Sequence, residues 1–321
     1  MPFPAAPAVT SLSPPAQVRC PTALALGTFD GVHAGHRLVI SRARAMAAQE
    51  QVQPVPTVVS FWPHPREVLY GETRLVLDLP EEKLALLDPL GMEQLVLLPF
   101  TAQMASLSPE QFVVEVLSGQ LSARCVAVGE NFRFGAGRTG DADALCSLGR
   151  QHGIEVAVVP IVHDPAGRLS SSRIRQALGE GSIPEAEALL GRPYRFEGEV
   201  GRGRGLGRQL GWPTANLKVS GRKFLPREGV YAALTWPGEP GAWSPMPAVM
   251  NLGRQPTVDP EAPSSVEVHL LDREEDLVDR KLVVQPVRWL REQRRFANLE
   301  ELSRQIGSDV QDARQHLEMA S

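Results

Sequence analysis

Apolar residues in the first half of the chain come in short unbroken runs. "ALALG" (23–27), "TVVSF" (57–61), "QLVLLPF" (94–100), "CVAVG" (125–129) and "EVAVVPIV" (155–162) show no polar alternation, which predicts strands buried on both faces. Between them the apolar spacing widens to helical periods in "GHRLVISRARAMAAQE" (35–50), "PEEKLALLDPLG" (80–91), "SPEQFVVEVLSGQ" (108–120) and "ADALCSLGRQHG" (142–153). In the third of these, Ser108 suits an N-cap, Pro109 the first helical turn and Gln111 the position three after the cap. Strand, helix, strand, helix predicts an α/β unit: a parallel sheet with helices on both faces. Ligands of such sheets sit at the carboxyl ends of the strands.

From about residue 195 the pattern changes. "FEGEVGRG", "GVYAALTW", "PAVMNLG", "SVEVHLLD" and "LVVQPVRWL" are short alternating runs divided by Gly/Pro-rich turns. They predict an antiparallel β-barrel or sandwich. "NLEELSRQIGSDVQDARQHLEM" returns to helical periodicity and closes the chain. The expected organisation is a loose, proline-rich lead-in over 1–21, an α/β domain over 22–190 and a β domain over 191–321, with the linker near "GRPYR" (191–195).

Composition narrows the class. The 321 residues suit two domains, and 43% hydrophobic with 22% charged is ordinary for a globular protein. A net charge of −4 gives no global attraction for nucleic acid or anionic membranes, so any anion site must be local. Cys20, Cys125 and Cys146 are too few and too far apart for a disulfide framework or a zinc pattern. The opening segment reads as no signal peptide, and no run approaches the ~20 apolar residues of a membrane span. A cytoplasmic protein is expected, with neither nucleic acid, membrane nor protein partner.

In "LGTFDGVHAGH" (26–36) a strand runs into Gly27 and Gly31, and a helix begins near Gly35. His33 and His36 then lie beside a helix N-terminus, whose free N–H groups favour anions. They either bind nucleotide phosphates and stabilise charge at the α-phosphorus, or simply cap the helix. "LSSSRIRQALGEG" (169–181) offers Ser171 and Ser172 for capping or phosphate binding, and Arg175 for an oxyanion. "VGENFRFGAGRTGD" (128–141) is a pocket wall for a flat ring or an ordinary loop, and "SFWPHPREVL" (60–69), with His64, suits packing as well as binding.

In the second half "GEVGRGRGLGRQLGWPTANLKV" (198–219) has six glycines, with Arg202, Arg204 and Arg208 for local positive charge. It wraps a phosphate, or touches RNA as an arginine–glycine loop. It is no Walker A motif, because no Gly-Lys-Ser/Thr follows. Extended backbone after Pro213 puts Thr214 and Asn216 on one side, a pair of hard oxygen ligands suited to Mg²⁺. In "SVEVHLL" (265–271) Val266, Val268 and Leu270 face one way, and Glu267 and His269 the other.

Taken in order, G-x-F-D-G-x-H-x-G-H, F-x-P-H-P, V-G-x-N-F-x-F-G and S-S-x-x-I-R resemble the adenylyltransferase half of the bacterial bifunctional riboflavin kinase/FAD synthetases. V-x-x-G-x-x-x-G-R-x-L-G-W-P-T-A-N, N-L-G-x-x-P-T and V-E-V-H-L-L-D resemble their kinase half, and the likeness spans about residues 22 to 317. It implies a Rossmann-like nucleotidyltransferase domain followed by an antiparallel β-barrel with a C-terminal helix. ATP would meet Gly27, Phe29, Asp30, His33, Gly35, His36, Ser171, Ser172 and Arg175 in the first half, and Gly203, Gly207 and Arg208 in the second. Thr214 and Asn216 would hold the ATP-bound magnesium, and Glu267 would act as base on the ribityl hydroxyl. Asn131, Phe61 and Arg291 would face flavin, with Phe296 near it. Riboflavin, FMN and ATP are the substrates implied, and FMN and FAD the products.

The chain departs from the family at Arg273, at Leu277, Val278 and Asp279, and at Val258, all around the kinase's flavin side. Two other readings compete. An adenylyltransferase for another phosphorylated substrate explains His33 and His36 but leaves residues 195–321 without a task. A non-catalytic flavin, nucleotide or RNA binder predicts decay at Glu267 or His36, and neither has decayed.

Overall fold

The computed structural model describes residues 12–13, 17–202, 207, 210–238, 243–253, 264–273 and 275–318. Two compact units emerge: residues 1–74 with 78–170, and residues 75–77 with 171–321. The helices Ser171–Glu180 and Ile183–Leu190 fall in the second.

The first unit is built on six strands: β1 (Leu12–Ser13), β2 (Thr22–Leu26), β3 (Val55–Trp62), β4 (Gln94–Pro99), β5 (Ala123–Gly129) and β6 (Glu155–Val159). All pair parallel, in the order β1-β4-β3-β2-β5-β6. The chain steps outward from β2 through β3 and β4, then returns to β2's other side with β5. That reversal makes a switch point at the carboxyl ends of β2 and β5, where open α/β sheets bind ligands.

Alternation along β2 explains the layering. Leu24 and Leu26 pack with Val126, Val128 and the helical residues Phe112, Val116 and Leu145 on one face. Ala23, Ala25 and Ala127 meet Val39, Ile40, Ala43 and Met46 of the helix Ala34–Gln49 on the other. Alanines on that face let the helix approach closely.

The Ser108 cap forms as expected: its Oγ accepts from Gln111 N–H at 3.1 Å, and Gln111 Oε1 accepts from Ser108 N–H at 2.9 Å. Beyond it, Phe112–Gln120 winds wider than an α-helix, with i→i+5 bonds such as Leu121 N–H to Val116 O at 3.0 Å. Nothing in the apolar spacing announces that widening. The lead-in needs correcting too. Leu12 and Ser13 pair with Leu95 and Val96, and Arg19 exchanges backbone bonds with the Gln94 side chain at 3.2 and 3.0 Å. The short strand escaped notice because two residues carry no periodicity.

In the second unit, six antiparallel strands close a barrel in the order β10-β13-β12-β11-β14-β9. They are β9 (Phe196–Gly201), β10 (Ala215–Val219), β11 (Gly229–Trp236), β12 (Met246–Leu252), β13 (Ser264–Leu270) and β14 (Lys281–Arg291); β7 (His163–Asp164) and β8 (Gly167–Arg168) form a small hairpin in the first unit. The C-terminal helix Leu299–Glu318 lays Val310, Ala313 and Leu317 on the barrel's outer face, against Val230, Ala232 and Val249. The 75–77 segment joins this unit through Val76, whose N–H donates to Arg222 O and whose carbonyl accepts from Phe224 N–H, both at 2.8 Å.

Candidate active sites in the two units

The loop after β2 is backbone under strain. Phe29, Gly31 and Val32 have φ of 43°, 95° and 39°. Left-handed conformations are rare for a bulky or β-branched residue, and they gather at functional sites. The loop delivers His33 as the N-cap of the helix Ala34–Gln49, its Nδ1 accepting from His36 N–H at 3.4 Å. The two imidazoles stack at 3.6 Å and 19°, with the Phe29 ring edge-on to His36 at 5.4 Å. His36 Nδ1 is buried without a hydrogen-bond partner. A buried orphan of this kind has a place for a ligand atom.

Both histidines are electrically quiet. Burial, helped by Arg37, lowers His33 to about 4. Burial and the neighbouring His33 push His36 well below the usual imidazole range. Because Nδ1 of neutral His33 accepts a hydrogen bond, its proton sits on Nε2. Capping and phosphate binding therefore do not exclude each other, since one ring nitrogen caps and the other is left to donate. Near neutral pH the rings act as dipoles rather than cations, which alters the charge-stabilising role expected from the sequence.

Around them stand charges, of which only Asp30 belongs to the sequence motif. Asp30, Asp78 and Lys83 are all buried, and Arg168 and Arg37 act electrostatically on both histidines. Lys83 lies one helical turn from the buried Leu87 in the helix Pro80–Leu87. That i, i+4 relation to an apolar residue is the signal that places it inward.

Asn131 follows β5 on an exposed turn closed by Phe132 N–H to Gly129 O at 2.9 Å, and Phe61 near the end of β3 packs edge-on to Phe100 at 5.7 Å. Both belong to the same edge of the sheet as the histidine loop. Phe134 is core, stacked on Phe132 at 5.6 Å, and His64 caps a short helix by accepting from Arg66 N–H at 3.1 Å. Arg175, in the second unit, forks onto two backbone carbonyls, Ser171 O and Leu75 O, each at 3.2 Å. Ser171 and Ser172 open the same helix.

The second unit builds its site by register. Arg291, Val230, Asn251, Glu267, Asn216 and Gly201 are successive cross-strand partners from β14 through β11, β12, β13 and β10 to β9. Directly opposed residues share a face. Glu267 therefore stands between two amides, Asn216 and Asn251, while Val266 and Val268 point into the barrel. This row opens on a cavity of about 910 Å³ whose lining includes Gly207, Thr214, Asn216, Glu267 and Arg291.

Around the cavity the polar groups are held in place. Arg291 grips Asp309 with Nε and Nη2 at 2.8 and 2.6 Å, and Gln305 Nε2 donates to the same carboxylate at 2.8 Å. Gln293 Nε2 donates to Asn251 Oδ1 at 2.9 Å. Gly207 is forced by close approach, since a Cβ there would lie 2.3 Å from Trp212 O. Thr214, Asn216 and Glu267 offer hydroxyl, amide and carboxylate oxygens, a donor set that fits Mg²⁺ with waters and phosphates completing its shell. Gly203, Arg204, Arg208 and Val258 lie outside the described residues. Arg273 pairs with Glu275 at 3.6 Å, and Leu277 is buried.

Comparison with known proteins finds a match for each half of the chain. The FAD synthetase family model matches residues 16–173, and the riboflavin kinase model matches residues 190–317. Bifunctional riboflavin kinase/FMN adenylyltransferases are 39% identical in Pseudomonas fluorescens, over 90% of this chain and 91% of that protein. In Escherichia coli K12 the identity is 36%, over 91% of each. In Bacillus subtilis it is 34%, over 90% of each. A crystal structure titled as a macrolide-efflux protein from Streptococcus pneumoniae superposes with a TM-score of 0.81 at 29% identity, over 94% of this chain and 98% of that one. No described helix here is long and apolar enough to cross a membrane. With a match on each half and relatives along nearly all its length, the chain belongs to the bifunctional riboflavin kinase/FMN adenylyltransferase family.

Proposed function

We propose that each unit runs one of the family's two reactions at the site just described. The second transfers the γ-phosphoryl group of ATP to riboflavin, giving FMN. The first transfers AMP from ATP to FMN, giving FAD and pyrophosphate. What supports this is that the two halves of the chain match the two family models separately, with the stacked histidines in one unit and Glu267, Thr214 and Asn216 lining a cavity in the other.

In the first unit the FMN phosphate attacks the α-phosphorus and pyrophosphate leaves, with no covalent enzyme intermediate. His33 Nε2–H and the helix N-terminus donate to phosphate oxygens, and His36 is placed to bind beside it. Arrival of the anionic triphosphate raises the affinity of both rings for a proton. Asn131 and Phe61 take the flavin side, as the motif likeness implies. Catalysis is positioning plus charge stabilisation.

In the second unit Glu267 accepts the proton of the ribityl 5′-hydroxyl as the hydroxyl attacks the γ-phosphorus. Thr214 and Asn216 would hold Mg²⁺, which neutralises phosphate charge when bound. Arg291, locked on Asp309, presents a fixed edge to the flavin. The few, widely spaced cysteines suit a cytoplasmic enzyme. To test the assignment, the protein is incubated with riboflavin, ATP and Mg²⁺, and FMN and FAD are separated by chromatography. His36→Ala stops FAD formation and spares FMN. Glu267→Gln stops FMN formation yet still makes FAD from supplied FMN. Loss of both steps in each folded variant overturns the two-site reading.

A further inference from the structure

Lys83 is 6% exposed, on a helix whose sequence reads as a solvated surface. Its Nζ donates to the carbonyl of Thr28 at 3.0 Å, and Ser60 Oγ donates to the same oxygen at 2.9 Å. Thr28 is the last residue before the stretch Phe29–Val32, in which Phe29, Gly31 and Val32 have positive φ. At the far end of that run Arg37 Nη1 donates to Val32 O at 3.0 Å. The strained loop is thus held at both ends, and a buried cation forms one of the clamps. Asp30 and Asp78 offset its charge, and burial lowers its proton affinity.

Burying an ammonium is costly, and an apolar side chain in its place would pack at no such cost. A surface lysine could not clamp a carbonyl inside the loop. We infer that Lys83 is a positioning residue for adenylyl transfer, pinning the Thr28 carbonyl so that Phe29 and His33 are presented to His36 in the stacked arrangement. Its charge also acts on His36. Burial first, then His33, Lys83, Arg168 and Arg37, all oppose protonation of that ring. Asp30 and Asp78 act the other way on His33 and on Lys83 itself. The inference rests on the adenylyl-transfer reading for the chemistry it serves, but the clamp and its electrostatics can be read without turnover.

Three readouts on the full-length protein decide it: FAD formation from FMN and ATP, FMN formation from riboflavin, and the pH titration of the His36 Cε1 proton by NMR. The NMR resonance is assigned by its loss in His36→Gln. Lys83→Met removes donor and charge. It is expected to lower kcat for FAD roughly a hundredfold, as a misplaced reacting group does, with FMN formation within twofold of the wild type. The His36 midpoint moves up toward the ordinary imidazole range. Lys83→Gln restores a donor without the charge, so it recovers part of kcat while keeping the raised midpoint. If Lys83→Met does not fold, Lys83→Gln alone decides. FAD formation within threefold of wild type in Lys83→Met overturns the inference, and so does an unmoved His36 midpoint in either variant. Failure of the adenylyl-transfer reading looks different, because the wild type itself would then make no FAD from FMN.

Discussion

The two units reach similar substrates by opposite means. In the first, the chemistry is local: His33 and His36 are three residues apart on a strained turn, and the helix they begin supplies the geometry. In the second, Asn216, Asn251, Glu267 and Arg291 span more than seventy residues of sequence and meet because barrel strands hold them in register. One site is buried and wound tight, its two imidazoles neutral. The other is an open cavity walled by charged and amide groups on regular strands. A local motif concentrates its risk in a few backbone angles, whereas a registered one spreads it over many hydrogen bonds.

The largest effects that could break this contrast are catalytic. His36→Ala should cut FAD formation about 10³-fold, a loss of the size seen when an oxyanion donor is removed. Glu267→Gln should cut FMN formation about 10²- to 10⁴-fold, the usual worth of a general base. By chromatography, His36→Ala leaves FMN formation from riboflavin within a factor of two, and Glu267→Gln leaves FAD formation from supplied FMN within a factor of two. A shared loss would mean that the sites are not independent.

Next in size is Asp309→Ala, which strips Arg291 of a partner that is almost wholly buried. Breaking a buried pair from one side costs about 3–5 kcal/mol. Urea unfolding should show this in the barrel unit, with the affinity for riboflavin reduced as Arg291 swings loose. A midpoint unchanged from wild type would show that the row tolerates a free Arg291.

Acid should act on the first unit. His33 is held near 4 in the folded protein against 6.5 when unfolded, so between those values the unfolded chain binds more protons. Stability falls as pH drops from about 6.5 toward about 4, by on the order of 3 kcal/mol from this ring alone. His33→Asn keeps a capping side chain without the titration, and should flatten that slope in thermal unfolding followed across pH. The smallest effect is Ser108→Ala, about 1 kcal/mol from loss of one cap, read from the same unfolding curves.

How much of this was legible in the sequence depends on the range of the interaction. Unbroken apolar runs gave away the central strands within a residue or two, and the Ser108–Gln111 box was readable because a cap is a four-residue affair. Glu267 and His269 could be put opposite Val266 and Val268 from alternation alone. Which strand Glu267 faces could not be read, because register depends on turns and closure far along the chain. Lys83 was hidden for another reason. A lysine among Glu81, Glu82 and Leu84 reads as solvated unless its turn-mate Leu87 is known to be inside. The neutrality of the histidines was equally hidden, since burial rather than residue type sets it.

The short piece Leu75–Leu77 has a consequence for how the gene could be divided. The buried ammonium of Lys223 rests on the carbonyl of Leu77 at 2.6 Å, and the edge beside it is completed by Val76. The kinase half is thus assembled from two stretches of polypeptide, one of them encoded in the middle of the other enzyme. A single break after Ser170 would carry away those three residues and leave a lysine short of an acceptor inside the fold.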